Sequence, residues 1–385
     1  MTRPVYLDYH ATTPVDPRVL DAMLPFFTER FGNASSRTHA YGQAAAEAVD
    51  RARAEVAALI GARHHEIVFT SGATEANNLA IKGVAQASHT RGRHLLTVAT
   101  EHPSVLDSCQ ALEREGWRVT RLPVGPDGLV DLERVEAALA ADTVLVSVMT
   151  ANNEIGVLQP VRDIARLAHA RGALVHTDAS QAVGRVPFDV TALGADLCSF
   201  TAHKIYGPKG VGALYVRRAG TSVEVAAQIH GGGHERGLRS GTLNVPGIAG
   251  LGRACAICRD EGAAEAARLG ALRDRLLAGL RAAIPDLRVN GSMTARLPHN
   301  LNVSVPGVDG QTLALALEGL AVSSGSACHA SKTDPSPVLK ALGVADQLAL
   351  ASIRFGLGRW TTEEEIAFAV ETVSCAVADL RGMRA

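Results

Sequence analysis

The feature that most constrains this chain is a series of short apolar runs, rich in β-branched residues and bounded by turns, alternating with helix-like stretches over residues 14–262. The runs fall at residues 66–70, 94–98, 143–148, 173–177 and 212–216, with a further one at 196–200. Strands buried on both faces read as continuous apolar runs, so the pattern predicts a largely parallel sheet covered by helices, an α/β architecture. Ligands of such sheets bind beyond the carboxyl ends of the strands. The residues just after each run are therefore the candidates for chemistry.

A chain of 385 residues exceeds what one core usually covers, so a second domain is expected beside the large one. The large domain is placed at 14–262, and the small domain at 1–13 and 263–385. A long helical region around 248–284 joins the two. A last helix opens with Thr362 and Glu365 as a capping box and carries Ile366, Val370, Val373, Val377 and Leu380 at helical spacing, as core residues. The formal net charge of -1 gives no electrostatic case for nucleic acid, and no like-charge block reads as a tail. Asp8 interrupts the start too early for a secretion signal, and no apolar stretch is long enough to span a bilayer, so a cytoplasmic protein is expected. Six cysteines in a chain this long are expected as free thiols. Cys255 and Cys258 lie in helical sequence with no second pair, and read as buried apolar residues rather than metal ligands. His64 and His65 read as surface.

Two residues after strand-like runs stand out. Lys204 follows the run at 196–200 and precedes the turn Gly207-Pro208-Lys209-Gly210, and Asp178 closes the run at 173–177. A lysine that carries a cofactor and a carboxylate that keeps a pyridine nitrogen protonated are the two requirements of pyridoxal phosphate. Lys209 reads equally well as a solvated charge. Ser71-Gly72-Ala73-Thr74-Glu75 opens a helix after the first run and suits a phosphate, because unpaired amides and a partial positive charge gather there. His102, after the second run, is placed to stack on a ring and move protons. Asn152 and Asn153 follow the third run and need partners that a cofactor oxygen or a substrate carboxylate would supply. The loop from His230 to Thr242 joins glycines, Arg236, Arg239 and a hydroxyl, a composition suited to an anion. Arg354, in an apolar strand-like segment, calls for a carboxylate partner. Cys328 lies among Ser323, Ser324, Gly325, Ser326 and Ala327, where a packed thiol has few neighbours. It reads as a nucleophile on a loop.

Taken in order, these motifs resemble the cysteine desulfurases of the class V aminotransferase group, in particular the iron-sulfur-cluster type. The likeness runs from Tyr6-Leu7-Asp8-Tyr9-His10-Ala11-Thr12-Thr13-Pro14 to Arg359-Trp360 and covers nearly the whole chain. It implies a homodimer of pyridoxal-phosphate fold-type I subunits, each with a large domain and a smaller α+β domain. On these residues it implies the cofactor on Lys204, Asp178 at the pyridine nitrogen, Gln181 at the phenolate oxygen and His102 over the ring. Ala73, Thr74, Thr201 and His203 would hold the phosphate, with Thr242 of the neighbouring subunit. Asn153 and Arg354 would orient L-cysteine, and Cys328 would take its sulfur as a persulfide for an acceptor such as an iron-sulfur scaffold. The segment Cys328-His329-Ala330 and Pro335-Ser336-Pro337-Val338-Leu339 looks more like selenocysteine lyases, which makes that activity, or another pyridoxal enzyme of this fold, the alternative. The end at Ala385 lacks the longer tail with which some members dock a scaffold.

Overall fold

The computed structural model describes residues 4–220, 223–324 and 334–382. After a two-residue strand, β1 (Val5–Tyr6), seven strands build one sheet. These are β2 (Ile67–Thr70), β3 (His94–Val98), β4 (Arg118–Leu122), β5 (Thr143–Ser147), β6 (Leu174–Asp178), β7 (Leu197–Thr201) and β8 (Gly212–Val216). Their spatial order is β2-β8-β7-β6-β5-β3-β4. Every pairing from β7 to β4 is parallel, and β8 runs antiparallel to both neighbours. Each apolar run became a strand because it is buried on both faces. Every residue of β2, β3, β5, β7 and β8 is buried.

Alternate residues feed two apolar layers. On one face Val68, Leu95, Leu145 and Leu214 pack with helix Ala73–Ala87 and helix Pro103–Arg114. On the other, Ile67, Phe69, Ala213 and Tyr215 pack with helix Ala40–Ile60 and the first half of helix Val245–Ala283. β4 was not expected from the sequence. It is an edge strand with Arg118 and Arg121 exposed and paired to Asp142 and Glu113, and its charges hide the apolar signal.

Helix Val245–Ala283 continues past this core. Its Leu269, Leu272, Leu276 and Leu280 join a separate apolar cluster with Leu7, Leu301, Ile353 and Phe355. Four short antiparallel strands lie there in the order β12-β13-β10-β9, namely β9 (Arg288–Val289), β10 (Asn300–Ser304), β12 (Ser323–Ser324) and β13 (Ser352–Gly356). β11 (Leu320–Ala321) pairs with β1, which ties the N-terminal arm to this region. Helix Glu363–Gly382 covers it with Ile366, Val373 and Val377 buried. Its capping box forms: the Thr362 amide donates to Glu365 at 3.1 Å and the Glu365 amide to Thr362 Oγ1 at 3.2 Å. Among the described residues no helix is long and apolar enough to cross a membrane.

Candidate active site

β2, β3, β5, β6 and β7 end at one edge of the large sheet, and the loops beyond them line a cavity of about 680 Å³. Ala73, Thr74, His102, Asn153, Asp178, Gln181, Thr201, His203, Lys204 and Arg354 all line it. The strand-end rule gathers these residues from points far apart in the chain.

Lys204 lies three residues beyond β7. Its Nζ donates to the carbonyls of His10 and of Ala11, the latter at 2.8 Å. The turn that aims it is firmly held. Tyr206 takes a left-handed backbone, with φ of 63°, which a bulky residue adopts only where its surroundings enforce it. Arg185 enforces it here, with one nitrogen 3.0 Å from the Tyr206 hydroxyl and another 2.7 Å from the Lys204 carbonyl. The guanidinium groups of Arg185 and Arg359 also lie 4.5 and 4.1 Å from the Tyr206 ring centroid.

Asp178 ends β6, the strand paired with β7, and is 5% exposed. Its Oδ2 accepts from Asn77 Nδ2 at 2.7 Å and its Oδ1 from the Ser180 amide at 2.9 Å. Asn77 uses its second amide hydrogen on Ser104 Oγ at 2.8 Å, and that oxygen lies 2.9 Å from His102 Nδ1. The Ser104 backbone N–H also donates to His102 Nδ1, at 3.1 Å, so this nitrogen is an acceptor and the neutral ring carries its proton on Nε2. Burial pushes the His102 pKa down, which favours this neutral form.

Helix Ala73–Ala87 begins at Gly72, which has φ of 154° and caps the helix with no side chain. The first-turn amides therefore have no side-chain cap among the described residues. A Cβ on Gly212 would lie 2.7 Å from Gly72 Cα, so only glycine lets β8 approach this turn. Thr201 Oγ1 donates to the Val211 carbonyl at 3.3 Å, and His203 Nδ1 lies 3.1 Å from Thr12 Oγ1. Desolvation, with the charges of Lys204 and Lys209, lowers the His203 pKa to about 4. Lys209 also lines the cavity.

Three expectations change in detail. Asn152 already has its partners: its amide donates to the Thr100 carbonyl, in the loop after β3, at 2.9 Å and its oxygen accepts from the amides of Glu154 and Ile155. Of the pair, only Asn153 lines the cavity. In the loop from His230 to Thr242, Arg239 pairs with Glu75 at 2.9 Å and Arg236 with the Ile67 carbonyl. These two arginines brace the turn rather than present themselves to an anion. Arg354 already has partners, Asp8 at 2.7 Å, Ser323 Oγ at 2.8 Å and the Asn153 carbonyl at 3.0 Å, while its buried Nε has none among the described residues. Thr242 is exposed and is not among the residues lining this chain's cavity. Cys328 lies outside the described residues. Cys255 and Cys258 are buried in helix Val245–Ala283, where burial raises both thiol pKa values, and His64 and His65 are exposed.

Asp8, His10, Asn77, Ser104 and Asn300 were not identified as site residues from the sequence. Asn77 had a readable signal, a polar residue among Ala76, Ala80, Ile81 and Val84 on the buried face of its helix.

The class-V aminotransferase family model matches residues 5–368. The chain belongs to the class-V aminotransferase family. This class-V aminotransferase is 57% identical over its whole length, and over 95% of the relative's, to cysteine desulfurase IscS of Anaeromyxobacter sp. (strain Fw109-5). Among solved structures it is similar to a NifS-like protein, with a TM-score of 0.91 and 39% identity over 98% of this chain and 100% of that one. It is also similar to SspA, solved in complex with cysteine, with a TM-score of 0.81 and 36% identity over 94% of this chain and 100% of that one. Class-V aminotransferases depend on pyridoxal phosphate, and the cavity fits that cofactor. A helix start with no side-chain cap among the described residues and a glycine cradle suits its phosphate, a buried carboxylate its ring nitrogen, and an amine just beyond the adjacent strand its aldehyde.

Proposed function

We infer that the chain is a pyridoxal-phosphate-dependent cysteine desulfurase, which converts L-cysteine to L-alanine and keeps the sulfur as an enzyme persulfide for transfer to an acceptor protein. One observation carries the reading. In a chain more than half identical to a desulfurase along its whole length, Lys204 and Asp178 project from the ends of paired strands into one cavity, with Arg354 also lining it.

When bound, the cofactor supplies an electron sink for the pair left behind as substrate Cα loses its proton. Lys204 would carry it and, once released, take that proton on Nζ. The Asp178 carboxylate, held by Asn77 and the Ser180 amide, would keep the ring nitrogen protonated. The amides of Ala73 and Thr74, with Thr201 and His203, would hold the phosphate, and Gln181 would donate to the phenolate oxygen. His102 would stand against the ring and offer Nε2–H to the reacting atoms. Arg354 and Asn153 would hold the substrate carboxylate. Cys328 would take the sulfur: its thiolate forms the S–S bond as the substrate Cβ–S bond breaks, the electron pair left on Cβ is protonated, and a proton returns to Cα from Lys204 Nζ to give alanine.

The active unit in this reading is a homodimer in which Thr242 reaches the neighbouring subunit's phosphate. The exposure of Thr242 supports this, as do exposed Leu20, Leu24, Phe27, Phe31 and Tyr41 near the N-terminal end. A division at 14–262 against 1–13 and 263–385 is supported by the two apolar clusters that helix Val245–Ala283 joins. Cytoplasmic residence is supported by the five described cysteines all being free thiols. An iron-sulfur scaffold is the acceptor proposed.

The test is alanine release from L-cysteine and from selenocysteine by wild-type and Cys328→Ser protein, with a count of protein-bound sulfur. The desulfurase gives one alanine per sulfur, and Cys328→Ser gives neither from cysteine. Cysteine turnover by Cys328→Ser at the wild-type rate would remove the acceptor role. Turnover retained on selenocysteine alone would favour the lyase as a second activity.

A further inference from the structure

His10 is wholly buried, lies beside the cavity and has no part in the reading above, on which this inference rests for the role of Gln181. The hydrogen bonds around it run in one direction. Arg296 is 6% exposed, and its guanidinium only donates, giving one bond to Asn300 Oδ1 at 2.9 Å. Asn300 must then turn Nδ2 the other way, and it lies 3.0 Å from His10 Nε2 and 3.2 Å from the Glu154 carbonyl. His10 Nε2 is thereby an acceptor, which leaves the proton of the neutral ring on Nδ1. That nitrogen is 3.0 Å from Gln181 Oε1. Gln181 Nε2 donates back to the His10 carbonyl at 3.1 Å. Both ends of the carboxamide are held by one residue, and a single Nε2–H remains for the cavity that Gln181 lines.

The ring itself is fixed in place and in charge. It stacks on His299 with centroids 4.5 Å apart, and burial, with the nearby cations Arg354, Lys204 and Arg185, keeps it neutral. A protonated ring would set an N–H against Asn300 Nδ2 and break the sequence of donors. The same His10 carbonyl that accepts from Gln181 also accepts from Lys204 Nζ, so one peptide unit sets the donor of the carboxamide and the position of the amine.

We propose that His10 is a positioning residue: backed by Asn300 and Arg296, it locks the Gln181 carboxamide so that an N–H, never the carbonyl oxygen, faces the cofactor's phenolate oxygen. The donor then exists before the cofactor arrives and needs no reorientation on binding. Donation to the phenolate oxygen stabilises its negative charge. It thereby weakens the hold of that oxygen on the proton of the neighbouring nitrogen, the one bonded to Lys204.

Two measurements test this. In apoprotein labelled with 15N-histidine, the long-range spectrum of His10 shows the proton on Nδ1, and a proton on Nε2 overturns the proposal before any variant is made. In holoenzyme, the pH midpoint of the cofactor's visible absorbance change rises in His10→Leu by about half a unit to one unit, the size of one neutral hydrogen bond. His10→Asn, whose amide retains a donor where Nδ1 stood, stays within about a third of that shift. Gln181→Leu separates the two levels. If it raises the midpoint while His10→Leu does not, the relay is wrong and the reading of Gln181 stands. If neither variant moves the midpoint, the phenolate role of Gln181 falls and the proposal falls with it.

Discussion

The sheet side of the cavity takes each of its side chains from the end of a strand or the first turn after one, whereas Arg354 comes from the middle of β13 and is held by Asp8, 346 residues away in sequence. On the sheet side the backbone has already fixed where a side chain starts, and short bonds finish the job: Asn77 on Asp178, Arg185 on the Lys204 carbonyl. On the Arg354 side the geometry exists only once the N-terminal arm has paired β1 with β11 and brought Asp8 against β13. The first arrangement is local and stiff. The second depends on two distant segments docking, which suits a group that holds substrate more than one that must meet a reacting atom. Changes on the sheet side should therefore appear in kcat, and changes around Arg354 in KM.

The largest expected effect is that of Lys204→Ala, which on the proposed function removes both the tether and the base and should lower turnover by about 1,000-fold or more in a steady-state alanine assay. Asp178→Asn keeps the shape of the site and loses the charge on the ring nitrogen. We expect kcat to fall about 100-fold, about 2.7 kcal/mol, and a loss within about threefold would contradict the role. Arg354→Ala should cost about 2 kcal/mol, roughly 30-fold in kcat/KM, carried mostly by KM, because it removes the charge-assisted contact to the substrate carboxylate that the proposed function assigns to it.

A fourth test uses His176, which bridges Ser147 Oγ at 2.8 Å and Ser199 Oγ at 2.9 Å behind the sheet side of the site. Burial lowers its pKa to about 4. The unfolded chain binds this proton from about pH 6.5 downward and the folded chain does not, so the contribution of His176 to stability is complete above that pH and is lost toward pH 4. Urea unfolding at pH 7, 6 and 5 should show a fall in stability that His176→Gln reduces by about 0.7 kcal/mol between pH 7 and 6 and by about 1.2 kcal/mol between pH 6 and 5. Buried Glu101, whose pKa burial raises, acts in the opposite sense, and it cancels in the difference between the two proteins. An unchanged slope would mean that His176 titrates normally in the fold. The smallest effect belongs to Asp8→Asn, which keeps the hydrogen bond to Arg354 and removes the charge. KM should rise about fivefold, about 1 kcal/mol, with kcat within about twofold, and a loss confined to kcat would place Asp8 with the sheet side instead.

The same contrast explains what the sequence made legible. Strands buried on both faces announce themselves as apolar runs, and the residues after them, Asp178, Lys204 and His102, could be picked out because strand ends are where such sheets bind ligands. β4 escaped because an exposed edge strand carries Arg118 and Arg121 where a buried one would carry apolar residues. The partners that hold the site, Asn77 on Asp178, Asn300 on His10 and Asp8 on Arg354, escaped because each bond joins residues at least 101 positions apart. No spacing rule links such pairs before the fold exists. For Arg354 the residue was legible and its partner within the fold was not. A guanidinium in a buried strand does need a carboxylate, and Asp8 already provides one.

The account rests on Lys204 being the residue that carries the cofactor, in the turn that Arg185 and Tyr206 hold. Borohydride reduction of the holoenzyme followed by peptide mapping reads this directly, because the reduced linkage leaves the cofactor on its lysine. The label should fall on the peptide containing Lys204, and Lys204→Ala should leave the chain unlabelled. Label on Lys209, which lines the same cavity, would contradict the assignment and the arrangement of Asp178, His102 and Gln181 built around it.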